Sequence, residues 1–353
     1  MSEAVRPIDW VSDDENVPRH DAGDIHRPGR IRLLDQTLLP EREHYLLIES
    51  VDELVDGIQR LAVRGAPALG VAGAMGVALL AQRHTADEVR AAAMVLRQAR
   101  PTAVNLARGV ERALAALPDG AQAVLAAALA LRDEEIAASL QMARRGADLL
   151  RALGPDPAPS GLRLMTICNT GSLAAVERGT ALAVIEEVWR EGRLARAIAC
   201  ETRPLLQGAR LTAWELQRLG VPFDLIVDGA APSLVRRGLV DAILVGADRI
   251  AANGDTANKV GTFGLALAAA HAGIPFLVVA PQSSVDLGKP TGADIEIEDR
   301  GAEEVLRVRG IPIAPEGVTA LNPAFDVTPA ELVTAIVTDR RVVRTAVGER
   351  PDA

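Results

Sequence analysis

The sequence predicts an α/β protein, with a mainly helical N-terminal domain followed by a Rossmann-like, doubly wound parallel-sheet domain. Three observations predict it. The first 150 residues carry apolar positions mostly at helical spacing. From residue 162 onward, short apolar runs alternate with helix-like segments, the pattern that right-handed βαβ crossovers produce. Between the two textures stands Gly154-Pro155-Asp156-Pro157-Ala158-Pro159-Ser160-Gly161, whose three prolines in five residues exclude both helix and sheet interior. The division therefore falls there, giving domains 1–153 and 162–353.

In the first domain, Ser50 is placed to cap a helix whose apolar positions Val51, Leu54, Val55, Ile58 and Leu61 share one face. Asp52 and Glu53 fall in its first turn, where the helix dipole favours them. Helical spacing continues over Ala72–Gln82, Ala86–Arg97, Val104–Leu117 and a long Ala-rich stretch from about Gln122 to Leu153. In the second domain, buried strands are expected at Leu162–Ile167, Leu194–Ala199, Phe223–Val227, Ala242–Val245 and Phe276–Ala280. Helices are expected between them at Gly179–Glu191, Gly208–Leu219, Ala231–Gly238 and Gly261–Ala272. No period of 20–50 residues recurs, so a repeat array is not expected.

Composition narrows the function. With 353 residues the chain exceeds one small core, and its 8 aromatic residues leave that core to Ala, Val, Leu and Ile. A net charge of −9 argues against a nucleic-acid binder working by broad phosphate neutralisation, though not against a local basic pocket. Two cysteines exclude a disulfide scaffold and fit a reducing, cytoplasmic compartment. No signal peptide is readable, and the longest apolar run, Ala123–Leu131, falls far short of the roughly 20 residues that span a bilayer. Neither membrane nor nucleic acid is an expected partner. Gly-x-Gly-x-x-Gly and P-loop motifs are absent, and His20, His26, His44, His84 and His271 lack metal-ligand spacing. Neither a metal nor a cofactor is expected.

Ligands of open parallel sheets bind beyond the carboxyl ends of the strands. The informative polar residues fall there: Cys168-Asn169-Thr170-Gly171-Ser172, Cys200-Glu201-Thr202-Arg203-Pro204 with Gln207, Asp228-Gly229, and Gly246-Ala247-Asp248-Arg249. Each alone reads first as a turn or cap residue; as a set they point to one crevice. Cys168 ends its strand before a turn and an expected helix N-terminus, a setting that activates a thiol or holds an anion. In an apolar strand it could also be inert packing. Cys200 is read as structural. Asp248 follows an apolar strand, and desolvation there would suit a proton donor; the other reading is a cap paired with Arg249. Asn258 and Lys259, opening the next helix, offer an amide and a cation to a phosphate or sugar hydroxyls. Arg64-Gly65-Ala66-Pro67, between two helices, is either an anion site or a tight turn with a solvated arginine. Arg100 stands at the lip of a similar break.

These segments together resemble the methylthioribose-1-phosphate isomerase family. Its superfamily includes ribose-1,5-bisphosphate isomerase and regulatory subunits of the initiation-factor guanine-exchange complex. The resemblance runs from about Leu33 to Val343 and rests on several segments. They include Leu34-Asp35-Gln36-Thr37, Arg64-Gly65-Ala66-Pro67-Ala68, Arg100-Pro101-Thr102-Ala103-Val104-Asn105 and Cys168-Asn169-Thr170-Gly171-Ser172. Glu201-Thr202-Arg203-Pro204, Gln207-Gly208-Ala209-Arg210-Leu211-Thr212, Gly246-Ala247-Asp248-Arg249-Ile250, Asn258-Lys259 and Asn322-Pro323-Ala324-Phe325-Asp326 complete it. It implies Cys168 and Asp248 as the catalytic pair. It also implies that Arg64, Gly65, Ala66, Arg100, Gln207, Asn258 and Lys259 bind the sugar phosphate, and that the protein is a homodimer.

Two stretches depart from the family's usual residues. Glu177-Arg178 stands where the family usually has Gly-Tyr, and Asp228-Gly229-Ala230-Ala231 lacks the family's Met. They leave open a paralogous isomerase of another pentose 1-phosphate, such as 5-deoxyribose 1-phosphate. A non-catalytic regulatory protein is the third reading, disfavoured by retention of both Cys168 and Asp248.

Overall fold

The computed structural model describes residues 5–12, 29–101, 103–154 and 161–352. Most of the proline-rich stretch, Thr102, His20 and His26 lie outside them. Two compact units divide the described residues: one holds those from 5 to 137 together with 172–177, the other those from 138 to 171 and from 178 onward.

The first unit begins with an antiparallel sheet in the order β1-β2-β3, with β1 at Ile8–Val11, β2 at Arg30–Leu34 and β3 at Tyr45–Ile48. The helical spacing of the N-terminal half does not announce this sheet. Its period-two signal is short: Ile31 and Leu33 are buried while Arg30 and Arg32 turn toward the surface. Helix α1 (Val51–Gln59) starts at Ser50 as the sequence predicts, in a capping box that pairs the Ser50 hydroxyl with the Glu53 N–H and the Glu53 carboxylate with the Ser50 N–H. Helix α2 runs from Ala66 to Ala81, six residues earlier than the sequence spacing suggests, and every residue from Pro67 to Leu80 is buried. It is apolar all round because it is the centre of this unit. Around it lie α3 (Ala86–Arg97), α4 (Val104–Ala115) and the first part of α5 (Ala121–Leu153).

The second unit is built on a seven-stranded sheet. Its strands are β4 (Leu162–Thr166), β5 (Leu194–Cys200), β6 (Phe223–Ile226), β7 (Ala242–Val245), β10 (Phe276–Val279), β15 (Ala335–Val337) and β16 (Val342–Val343). Their spatial order is β16-β15-β10-β7-β4-β5-β6, parallel except for the edge strand β16. The crossovers are α6 (Ala181–Arg190), α7 (Ala213–Leu219), α8 (Ala231–Arg236) and α9 (Thr262–Ala272). Successive strand residues face opposite cores: Leu164, Leu244 and Leu277 pack on one side with α6, and Met165, Ile243 and Phe276 on the other with α8 and α9. The doubly wound fold is as the sequence predicts, with all five expected strands present.

A smaller sheet, ordered β11-β8-β9-β14, carries β8 (Arg249–Ala251), β9 (Thr256–Lys259), β11 (Val285–Asp286) and β14 (Phe325–Thr328). A short helix α10 (Glu303–Leu306) and a hairpin of β12 (Arg307–Val308) and β13 (Ile311–Pro312) precede β14. Among the described residues, no helix is long and apolar enough to cross a membrane.

Candidate active site

In the large sheet the chain winds outward in one direction through β4, β5 and β6, and in the other through β7, β10 and β15. The reversal falls between β4 and β7, the topological switch point where open α/β sheets open a crevice. Cys168 lies two residues beyond the end of β4, and Asp248 three beyond the end of β7.

Cys168 is buried and left-handed, with φ 67°. For a residue other than glycine that conformation costs about 1–3 kcal/mol and persists only where its surroundings hold it. Its N–H donates to the Thr202 hydroxyl at 2.8 Å, and its carbonyl accepts from the Thr212 hydroxyl at 2.7 Å. No long helix follows directly: the chain passes through a single 3₁₀ turn, Ser172–Ala174, before α6 begins at Ala181. The helix N-terminus expected beside the thiol is instead met by Thr170, whose hydroxyl accepts from the Leu182 N–H and whose carbonyl accepts from the Thr180 N–H.

Asp248 is exposed, which corrects the expectation of a desolvated acid. Strand β7 ends at Val245, and the chain emerges from the core before reaching the carboxylate. Its N–H donates to the Ala257 carbonyl of β9 at 3.0 Å. Arg249 pairs with Asp286 at 3.6 Å.

Asn258 and Lys259 close strand β9 rather than open a helix, and both are buried. The Asn258 amide donates to the Thr262 hydroxyl at 2.9 Å, fixing its orientation at the start of α9. The Lys259 ammonium donates to the Ala324 carbonyl at 2.7 Å and lies 4.5 Å from the centre of the Phe325 ring. Asp326 pairs across the register with Asn258, and its carboxylate accepts from the Gly261 and Phe263 N–H groups at the start of α9. Burial raises the Asp326 carboxyl above its ordinary range, against the pull of those hydrogen bonds and of Lys259. In the sequence Asp326 stands out only as the end of Asn322-Pro323-Ala324-Phe325-Asp326, with nothing there to assign it a role.

Gln207 is buried just before a π-helical turn, Gly208–Thr212, that leads into α7. Such turns recur at functional sites. Any side chain at Gly208 would overlap the Cys200 carbonyl oxygen, so only glycine lets this turn approach β5. Gln207 Oε1 and Asn169 Oδ1 are buried with no hydrogen-bond partner among the described residues. Asn169 is held by its amide nitrogen, which donates to Glu215 at 2.7 Å and to Thr212 at 3.3 Å.

Cys200 sits in the core packed by Met165, Ile198 and Val245. Burial, with Asp228 and Glu201 nearby, pushes its thiol up to about 12. The structural reading of this cysteine follows from that environment. Glu201 is also raised, by burial and by the Asp228 carboxylate, against the opposing pull of Arg203.

Arg64, Gly65, Ala66 and Arg100 belong to the other compact unit. Gly65 is the residue before α2, with φ 92°, and a side chain there would overlap the Ala174 backbone. Arg64 is half-buried at this turn, and Arg100 half-buried after α3. Glu177 pairs with Arg6 at 3.0 Å. Arg178 is half-buried as a residue, with its side chain only 8% exposed, and pairs with Glu186 at 3.1 Å and Glu187 at 2.6 Å. The departure from the family's residues is thus absorbed in ion pairs. Among the described residues, no group of three or more His, Cys, Asp or Glu side chains is disposed to hold a metal ion.

The chain is similar to several known proteins. A methylthioribose-1-phosphate isomerase from Anaeromyxobacter sp. (strain K) is 53% identical over 315 residues, covering 89% of this chain and 91% of the relative. Another, from Marinobacter nauticus, is 47% identical, covering 89% and 91%. Among solved structures, 5-methylthioribose 1-phosphate isomerase from Pyrococcus horikoshii OT3 superposes with a TM-score of 0.81 at 40% identity, covering 89% of this chain and 90% of that one. A chain described as translation initiation factor eIF-2B, subunit delta, from A. fulgidus gives 0.81 and 40%, covering 96% of each. The Initiation factor 2 subunit family model matches residues 62–345, and the chain belongs to that family.

Proposed function

We propose that the chain is an aldose–ketose isomerase that converts 5-methylthioribose 1-phosphate to 5-methylthioribulose 1-phosphate in methionine salvage. One observation carries the reading: relatives named for this reaction match this chain along nearly its whole length, at up to 53% identity over 89% of it.

The phosphate on O1 of the substrate prevents the sugar from opening to a free aldehyde. The ring must open by protonation of its oxygen as the C1–O4 bond breaks, and one hydrogen must then move from C2 to C1. Asp248 donates the proton to the ring oxygen. Its place after β7, the strand that pairs with β4 at the switch point, supports the role; burial does not. In the enediol route Cys168 takes the proton from C2 and returns it to C1 while the C2 hydroxyl gives its proton to the Asp248 carboxylate, so both groups end as they began. In the alternative route the hydrogen moves as hydride and Cys168 only assists. Arg64, Gly65, Ala66 and Arg100 bind the sugar phosphate together with Gln207, Asn258 and Lys259; the cations suit the phosphate, and the orphaned Gln207 oxygen suits a hydroxyl donor. The protein works as a cytoplasmic homodimer.

The test is an NMR assay of the purified protein with 5-methylthioribose 1-phosphate and 5-deoxyribose 1-phosphate side by side in deuterated water. A C2 ketone should appear with the first sugar at least tenfold faster than with the second. Solvent deuterium at C1 indicates the enediol route, and its absence the hydride shift. A non-catalytic regulatory role has one observation behind it, the likeness to the A. fulgidus chain. No turnover of either sugar would sink the isomerase reading and favour that one.

A further inference from the structure

We propose that Thr202 and Thr212 are positioning residues that hold the backbone of Cys168 on both sides of its Cα, one by the N–H and one by the carbonyl, so that the thiol is carried at one fixed place at the carboxyl end of the sheet. This rests on the reading of Cys168 as the acid–base thiol. The Thr202 hydroxyl accepts from the Cys168 N–H at 2.8 Å, and the Thr212 hydroxyl donates to the Cys168 carbonyl at 2.7 Å. Both threonines are completely buried. A third group sets the direction of each hydroxyl. Thr202 donates its hydrogen to the Cys200 carbonyl at 3.0 Å, leaving its lone pairs for the Cys168 N–H. Thr212 receives the Asn169 amide at 3.3 Å, leaving its hydrogen for the Cys168 carbonyl.

Thr202 is itself braced. It is left-handed, with φ 65°, and its N–H and that of Arg203 both donate to Asp228, at 2.8 and 2.7 Å. The support thus runs from the end of β6 through the end of β5 to Cys168. Thr212 is the last residue of the π-helical turn. Two neutral hydroxyls, one on each of the peptide groups that flank the Cys168 Cα and each with a single allowed polarity, over-determine a conformation the cysteine would otherwise leave. Misplacing a reacting group by about 1 Å costs on the order of a hundredfold in rate.

The test compares T202V and T212V, which remove a hydroxyl at nearly constant shape, with T202S and T212S, which keep it. Each variant is assayed for kcat and KM, for folding by circular dichroism, and for the rate of Cys168 alkylation by iodoacetamide, read by peptide mass mapping. Both valine variants should lose at least thirtyfold in kcat with KM within threefold, and Cys168 alkylation should change at least fivefold. The serine variants should stay within threefold of the parent throughout. A valine variant that folds and keeps kcat and alkylation within threefold overturns the clamp, as does a serine variant impaired as much as its valine counterpart. If one valine variant fails to fold, the pair at the other threonine decides. C168S separates the two readings: retained turnover there removes the thiol from catalysis, while the alkylation comparison still decides the clamp.

Discussion

Cys168 and Asp248 follow two strands, β4 and β7, that pair in parallel with Leu164 opposite Ala242 and Met165 opposite Ile243. Residues separated by 80 positions in sequence are thereby brought to one edge of one sheet, at the point where the winding reverses. A thiol and a carboxyl in that place match a reaction that needs a proton at a ring oxygen and a hydrogen moved between adjacent carbons. C168S and D248N should each lower turnover by ~10²–10⁴-fold with the fold intact. Steady-state kinetics on folded protein measure it, and activity within about tenfold of the parent removes that residue from the mechanism.

The two cysteines should differ sharply in reactivity. With its thiol pushed up to about 12 by burial and two carboxylates, Cys200 stays protonated at neutral pH and offers no nucleophile. Brief treatment of the native protein with iodoacetamide at pH 8 should label Cys168 and spare Cys200. Equal labelling of both peptides would contradict the core environment of Cys200.

Much of this was legible beforehand, for physical reasons. The strands β7 and β10 are buried at every residue, so their sequences are plain apolar runs, β4 and β5 are mostly so, and the polar residues that follow announce the crevice. Other features lack such a signature. Strand β9 reads Thr-Ala-Asn-Lys, buried yet polar, because hydrogen bonds and the Phe325 ring satisfy its side chains. Asp248 follows an apolar strand, the pattern of a desolvated acid, but burial ends at Gly246, two residues before the carboxylate. Thr202 and Thr212 reach Cys168 from 34 and 44 residues away, a relation that only the folded sheet creates.

Glu201 should make stability depend on pH in a definite direction. Burial and Asp228 raise its folded pKa above the unfolded value of about 4.3. Its contribution is then fully present below that unfolded value and is lost as pH rises through the folded one. E201Q removes the titration. Its Tm should exceed the parent's at pH 8 and converge with it near pH 4. Melting curves whose difference stays constant over this range would exclude Glu201 as the source.

Arg178 provides the last expectation, because its surroundings bear on substrate choice. Its guanidinium is buried between Glu186 and Glu187, and Glu186 also holds Arg190 at 2.5 Å. Burial alone would lower the arginine pKa, but these carboxylates outweigh it and raise it. Glu177 is engaged separately by Arg6. The double variant E177G/R178Y, which restores the family's usual residues, leaves two carboxylates of α6 without their shared cation. Removing one partner from a buried pair costs up to ~3–5 kcal/mol, reduced here because Arg190 remains on Glu186. The Tm should fall by several degrees. The ratio of kcat/KM for 5-methylthioribose 1-phosphate over 5-deoxyribose 1-phosphate should change less than twofold. A pocket residue of this size would move that ratio more, since one apolar contact is worth ~1–3 kcal/mol of discrimination. A shift above about fivefold with an unchanged Tm would mean that the ion pairs are not what these residues are for, and would restore the paralogue reading.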